Sequence, residues 1–339
     1  MNNSNFKLSI IFVNYKSVHF LKECMKSLEQ QTYKDFQVII VDNTEGDQEL
    51  VKIQQLKLKF QKSMKINVLK PKINLGFAGG NNYGLRRFET NYYLLLNCDT
   101  ELLDDSLEKC ISFMDENPKA GMMTPKLNFF CDKKRIWYAG TYLDPQSYYF
   151  LYHIGLNEKD CGKYDEISET AYACGAALFT RNEVIKEIGL LDETYFAYFE
   201  ETDWNIRAKK ANYKIMYYPK TTIYHKVQII TKENRLGFRG NPFQNYLYTR
   251  NRIIFMIKNY SFLNILGFFL KFNFKLLIIE SLLAIYTNRQ DFFLAHIRAH
   301  FKGLVIGIRR RTNHSCKMLL RKELKYLNNF TKISRSSIS

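Results

Sequence analysis

The chain opens with a repeating alternation of apolar runs and helical spacings. Leu8–Asn14 (LSIIFVN) is continuously apolar, as expected of a strand covered on both faces. Ser17–Gln31 follows, with Val18, Leu21, Met25 and Leu28 at helical spacing. Phe36–Val41 predicts a second strand, Gln48–Phe60 a helix and Ile66–Leu69 a short third strand. A helix over Gly80–Phe88, a strand over Tyr92–Leu96 and a helix over Asp104–Glu116, ended by Asn117-Pro118, complete the series. Strands alternating with helices imply an α/β fold, a Rossmann-like, mostly parallel sheet flanked by helices.

After Met122–Pro125 the pattern loosens, and residues 126–170, rich in Tyr and Asp, read as an extended insertion. Order returns at Tyr172–Thr180, with helices expected over Asn182–Ile188 and Asp203–Ala211 and a strand over Lys214–Tyr218, stopped by Pro219. Helices dominate from Asn241. The division expected is therefore 1–240 as one α/β domain and 241–339 as a helical extension.

That extension is distinct in charge. It carries 17 Lys/Arg against 3 Asp/Glu, while the first 240 residues hold 33 against 30. A basic block of this kind suits an anionic lipid surface or nucleic acid, or is a solvated tail. Tyr260–Tyr286 is strongly apolar but interrupted by Lys271, Lys275 and Glu280. Ile265, Phe268, Phe269, Phe272, Leu276, Ile279 and Leu283 recur at helical spacing, which predicts a helix lying in a membrane interface rather than one packed in a core. Seven cysteines, odd in number, widely spaced and without a C-x-x-C, argue against a disulfide framework or zinc site and for a reducing compartment. The apolar run Leu8–Val13 is too short for a signal-peptide core, so a cytoplasmic start is expected.

In an open parallel sheet, ligands bind beyond the carboxyl ends of the strands. Here those ends are polar: Asn14-Tyr15, Asp42-Asn43, the segment Asn74–Gly84 (NLGFAGGNNYG) and Asn97-Cys98-Asp99. One polar strand end is ordinary capping; four along one edge suggest a site. The glycines let a backbone approach a ligand, but the segment is neither G-x-G-x-x-G nor a Walker loop. Asp99 could bridge Mg²⁺ or Mn²⁺ to a diphosphate, since such ions often keep one or two protein carboxylates beside phosphate oxygens. A second constellation, Tyr198–Arg207 (YFEETDWNIR), places Glu200, Glu201 and Asp203 at a helix start. The helix dipole accounts for one or two acids there. Three beside aromatics suggest a buried carboxylate available as a base. His225 could be a neutral-imidazole ligand.

These segments, in this order, resemble the inverting glycosyltransferases of family 2, of the GT-A fold, and most of all the rhamnosyltransferase-like members that build bacterial surface polysaccharides such as capsule and O antigen. The resemblance spans about residues 8–258 and rests on NLGFAGGNNYG, on Leu94–Asp99 (LLLNCD), on the run ending in FEETDWNIR and on Tyr248–Asn259 (YTRNRIIFMIKN). It implies that Asn14, Tyr15, Asp42, Asn74, Gly76, Gly79, Asn82, Asn97, Asp99 and Arg207 line the nucleotide-sugar pocket. It also implies that Asp99 and His225 hold a divalent metal, and that Glu201, with Glu200 and Asp203 beside it, supplies the general base. Two departures stand out: Asn97 replaces the first acid of the family's D-x-D motif, and Glu201 replaces the usual Asp.

The reaction implied is a single in-line displacement from a dTDP- or UDP-sugar, rhamnose first, to a saccharide or lipid-linked saccharide acceptor. The enzyme would sit peripherally on the inner face of the cell membrane, with residues 126–170 on the acceptor side and no nucleic-acid partner. The competing readings are a nucleotidyltransferase, disfavoured by the lack of a Lys/Arg-bearing glycine loop near the N-terminus, and a non-catalytic basic membrane- or nucleic-acid-binding protein.

Overall fold

The computed structural model describes residues 2–3, 6–144, 150–227, 241–312, 323 and 326–328. They form two compact units. The first holds residues 2–143, 151–193 and 204–227, the second 144, 150, 194–203 and those from 241 onward. The boundary expected at residue 240 falls outside the described residues. The acid-bearing segment 194–203 groups with the C-terminal helices.

The first unit is built on a ten-stranded sheet. Its strands are β1 (Leu8–Asn14), β2 (Phe36–Asp42), β3 (Lys65–Leu69), β4 (Tyr92–Leu96) and β5 (Thr100–Leu102), then β6 (Ala120–Phe129), β7 (Ile136–Tyr138), β8 (Ser168–Glu169), β9 (Ala177–Arg181) and β10 (Lys214–His225). The order is β8-β10-β6-β9-β4-β1-β2-β3, with β5 on β10 and β7 on β6. β1 pairs in parallel with β2 and β4, β2 with β3, and β10 with β6; β9 runs antiparallel between β4 and β6. The α/β sheet expected from the alternation is thus present, reversed at β9.

Helices α1 (Val18–Glu29), α2 (Gln48–Phe60), α3 (Gly76–Leu85), α4 (Ser106–Glu116) and α5 (Asn182–Ile188) accompany it. The pleat sends alternate residues to opposite cores. Ile10, Phe12, Val38, Ile40 and Leu94 join Leu21, Met25, Leu107 and Met114 on one face. Ile11, Ile39, Val41 and Leu95 join Ala78, Leu85 and Val184 on the other. Each such side chain, fully buried, stabilises the fold by roughly 1.5–3 kcal/mol.

Two elements depart from the sequence expectation. α3 begins at Gly76, four residues before the helix expected at Gly80. Its glycines serve packing: a Cβ on Gly80 would lie 2.7 Å from Val13 Cγ1, and one on Gly84 3.1 Å from Ile11 Cγ2. The run is therefore a helix pressed onto β1 and β2, with left-handed Gly76 at its start. Pro219 does not stop β10. The strand instead slips register, advancing from Tyr218 to Thr222 while β6 advances from Pro125 to Lys126, so the missing N–H falls in the irregularity.

In the second unit α7 (Pro242–Asn259) starts with a capping box: Asn241 Oδ1 accepts from Gln244 N at 2.9 Å, and Gln244 Oε1 from Asn241 N at 3.2 Å. α10 (Gln290–Arg311) lies along α7, and Gly303 permits the approach: a Cβ there would be 2.9 Å from Ile253 Cβ. Between them, α8 (Phe262–Gly267), a π-helical stretch (Phe268–Asn273) and α9 (Phe274–Tyr286) form one 25-residue helix. By length and composition it could cross a membrane, and most of it is exposed. The apolar stripe chosen from spacing is partly the packed face, since Phe268 is fully buried. Leu263, Leu266, Leu270, Phe274, Ile278, Leu282 and Ile285 are exposed, and so is Ile279 of the stripe. A helix apolar on every side gives spacing no means of choosing a face.

Candidate active site

β1 and β2 end together, because their register pairs Asn14 with Asp42. Both side chains are fully buried. Asn14 Nδ2 donates to Asp42 Oδ1 at 3.1 Å and to Thr44 Oγ1 and Glu49 Oε2 at 3.4 Å. Lys70 Nζ closes the pocket on Asp42 Oδ2 at 2.6 Å and on the Gly46 carbonyl at 2.8 Å. Tyr15 stands beside this network, half-buried, with the Lys16 ammonium 5.6 Å from its ring.

At the start of α3, Asn74 Oδ1 accepts from Gly76 N at 2.9 Å, and Asn43 Nδ2 donates to the Gly76 carbonyl at 2.8 Å. Gly76 sits at φ 71°, where a side chain would be strained. Gly79 and Asn82 face the segment 191–193: a Cβ on Gly79 would come within 3.9 Å of Glu193 Cδ. Asn82 Nδ2 reaches the Leu191 carbonyl at 2.8 Å and Glu193 Oε1 at 2.9 Å. Arg207, on α6 (Glu200–Lys210), donates to the Ile188 and Leu190 carbonyls at 2.5 and 2.8 Å. Asn82 and Arg207 thus fasten backbone, although the resemblance places them in the nucleotide-sugar pocket.

The third group lies where β5 meets β10. Their register sets His225 opposite Thr100, one residue beyond Asp99. The Lys226 N–H donates to the Asp99 carbonyl at 2.8 Å. The consequence is a contact 126 residues apart in sequence: His225 Nε2 lies 3.2 Å from Asp99 Oδ1 and 3.5 Å from Asn97 Nδ2. Burial pushes the Asp99 carboxyl up, but the hydrogen bond and charge of His225 outweigh it, and the group titrates below its ordinary value.

Among the described residues no group of three or more His, Cys, Asp or Glu side chains gathers as a metal centre. The pair itself fits a cation. A carboxylate oxygen and an imidazole nitrogen 3.2 Å apart leave a point roughly 2.1 Å from each. His225 Nδ1 is buried without a hydrogen-bond partner, so the Asp99 side is the one the ring engages. Two protein ligands suffice for Mg²⁺ or Mn²⁺ when phosphate oxygens and water supply the rest.

The acid cluster belongs to the second unit. The chain enters α6 through Phe196, Tyr198 and Phe199, all at φ between 66° and 75°, where non-glycine residues are strained by about 1–3 kcal/mol each. α7 holds that backbone. Asn251 Nδ2 donates to the Tyr195, Ala197 and Tyr198 carbonyls at 2.9, 2.7 and 2.7 Å. Arg250 donates to the Thr194 and Tyr195 carbonyls at 3.0 and 2.8 Å. These two residues stand in the YTRN run that carried the resemblance, but their role as pins was not legible there.

The three acids differ in fate. Asp203 is fully buried and engaged by Lys258 Nζ at 2.8 Å, Asn259 Nδ2 at 3.0 Å and Tyr195 OH at 3.3 Å. Glu200 is buried, and burial followed by the neighbouring Glu201 charge pushes its carboxyl well up. Glu201 is partly exposed. Burial raises its pKa too, while backbone N–H groups and the hydrogen bond from Glu200 lower it. The two neighbouring carboxyls titrate together: burial raises both, that of Glu200 well up.

The family model for glycosyl transferase family 2 matches residues 9–189, more than half of the chain. The chain is 25% identical to the low-salt glycan biosynthesis hexosyltransferase Agl10 of Haloferax volcanii, over 73% of this chain and 74% of that protein. It is 26% identical to the amylovoran biosynthesis glycosyltransferase AmsB of Erwinia amylovora, over 66% and 71%. Among solved structures, S. aureus TarS 1–349 in complex with UDP-GlcNAc superposes with TM-score 0.52 at 15% identity, covering 91% of this chain and 93% of that one. The mannosyltransferase PcManGT from Pyrobaculum calidifontis, in complex with GDP-Man and Mn²⁺, gives 0.53 at 13%, covering 88% and 87%. These likenesses bear on the fold, which is GT-A-like.

Proposed function

Because the chain belongs to glycosyl transferase family 2, we propose that it transfers a sugar from a nucleoside-diphosphate donor by one in-line displacement, with Glu201 as base and the Asp99–His225 pair holding a divalent cation. The observation that carries this is the contact of Asp99 with His225 at the polar edge of the sheet. Asn14 and Asp42 end the neighbouring strand pair and suit the base and ribose of the nucleotide. Asn74 and Gly76 suit the diphosphate, and Asn97, a neutral amide where the family has an acid, suits the sugar or ribose. A bound Mg²⁺ or Mn²⁺ would neutralise charge on the departing diphosphate.

Glu201 takes the proton of the acceptor hydroxyl as its oxygen attacks the anomeric carbon and the bond to the diphosphate breaks. The configuration at that carbon inverts. A carboxylate raised above its ordinary value is a better base than a free one, and the raised Glu201 carboxyl suits that role. The donor we favour is a UDP- or dTDP-sugar with rhamnose first, and the acceptor a saccharide or lipid-linked saccharide of a surface polysaccharide. The exposed apolar helix Phe262–Tyr286, with Lys271, Lys275 and the basic end of α10, supports docking on the anionic cytoplasmic leaflet.

The test is a screen of nucleotide-sugars for Mn²⁺- or Mg²⁺-dependent release of nucleoside diphosphate by the purified chain. Loss of that release in both Asp99→Ala and Glu201→Gln is expected; release unchanged in both would overturn the site. Co-sedimentation with phosphatidylserine vesicles but not phosphatidylcholine vesicles is expected for the lipid surface.

A further inference from the structure

Beside the Asp99–His225 pair stands an aromatic side chain that the reaction above does not use. β7 (Ile136–Tyr138) buries Ile136 and Tyr138 completely and turns Trp137 to the other side of the strand, where it is only partly buried. Its ring meets His225 edge to face, centroids 4.5 Å apart at 78°. Behind it, His153 packs edge to face at 5.1 Å and 87°. His153 Nδ1 donates to the Trp137 carbonyl at 3.3 Å, and Nε2 accepts from the Tyr172 hydroxyl at 2.7 Å. Burial lowers the His153 pKa to about 4, so the ring is neutral and this hydrogen-bond pattern is fixed. Trp137 thus packs against two imidazoles and the edge of the core while part of it stays exposed. The same segment also carries Tyr142 and Tyr152, stacked at 5.3 Å and 52% and 39% exposed. Among the described residues they are the exposed aromatics of the first unit.

A rigid, partly exposed indole next to a diphosphate-binding pair offers a flat apolar face. Pyranose rings carry flat patches of C–H groups that lie against aromatic rings, while their hydroxyls bond elsewhere. We propose that Trp137 is a saccharide-binding platform, stacking a pyranose ring at the diphosphate end of the site. This deepens the glycosyl-transfer reading and rests on it. The ring could belong to the donor or to the acceptor, since displacement brings both to the same carbon.

The chain has two tryptophans, and Trp204 is fully buried, so quenching by direct contact with a sugar reports on Trp137. Full-length protein with Mn²⁺ is titrated with UDP, with UDP-hexoses and, in the presence of saturating UDP, with methyl pyranosides. Quenching by UDP-hexoses beyond that by UDP assigns the donor ring; quenching by methyl pyranosides assigns the acceptor ring. Trp137→Ala should then weaken the assigned ligand about tenfold while leaving UDP affinity within about twofold, and Trp137→Phe should restore most of the loss. A Trp137→Ala protein that loses UDP and sugar ligands equally would make Trp137 a mere prop for His225 and overturn the platform. Fluorescence indifferent to every sugar would overturn it as well. Failure of UDP itself to bind would count against the nucleotide-sugar reading, and the methyl pyranosides would still decide on Trp137.

Discussion

The two units position their chemistry by different means. In the first, Asp99 and His225 meet because β5 and β10 are in register, and Asn14 and Asp42 meet because β1 and β2 are. Strand register brings these side chains together, and hydrogen bonds with Thr44, Glu49 and Lys70 then hold the Asn14–Asp42 pair. In the second, Glu200 and Glu201 follow a left-handed stretch of backbone that would not hold itself. Arg250 and Asn251, from a helix some fifty residues later, clamp it through its carbonyls. A register-set site is sturdy toward distant substitutions; a pin-set site fails when one pin is removed.

Glu201→Gln is the sharpest way to test the base on the pinned side. It should lower turnover by about 10²–10⁴-fold with nucleotide affinity unchanged, read by steady-state kinetics and calorimetry. Arg250→Met attacks the pins. It removes the share of the carbonyl clamp that Arg250 supplies and takes from buried Glu323 its guanidinium partner at 3.0 Å, with Lys302 left at 3.6 Å. Removing one member of a buried pair costs about 3–5 kcal/mol, and transfer should fall with it. If transfer survives at wild-type rates in a folded Arg250→Met protein, the contrast between register and pins is wrong.

On the register-set side, Gly80→Ala drives a methyl to 2.7 Å from Val13 and should cost about 1–3 kcal/mol in a denaturation series, with kcat little changed once folded. The smallest effect is one of pH. Glu200 is buried with a raised pKa, so its contribution to stability is intact below the ordinary carboxyl value of 4.5 and is lost as pH rises toward the folded value. Glu200→Gln should therefore gain thermal stability relative to wild type at pH 8 and not at pH 4. Glu200→Ala, which removes the hydrogen bond that lowers the Glu201 pKa, should move the acidic limb of the rate profile upward.

The first four main strands and their helices were legible because both faces of β1, β2 and β4 are apolar and the intervening helices keep a clear stripe. The polar strand ends were legible for the same reason: side chains at the end of an apolar run have nowhere to face but the edge of the sheet. The start of α3 was misplaced because glycine lowers helix propensity, and only contact with Val13 and Ile11 reveals why it is tolerated there. Trp137 escaped notice because nothing in residues 126–170 marks which aromatic faces a site. Phe262–Tyr286 exposes Ile279 of the expected stripe and buries Phe268, so spacing alone does not separate its two sides.

The sequence by itself determined the α/β alternation, the four polar ends and the presence of an acid cluster, since each follows from local spacing and side-chain type. Tertiary structure alone decided how the acids differ. Asp203, Glu200 and Glu201 are near-equivalent as letters, yet Lys258 and Asn259 take the first, and burial with the Glu201 charge pushes the carboxyl of the second well up. Backbone N–H groups hold back the rise that burial gives Glu201. The same holds for Asp99, whose partner His225 lies 126 residues away and is delivered by strand register. Such pairings depend on long-range contacts and on the dielectric they create, which no local pattern encodes.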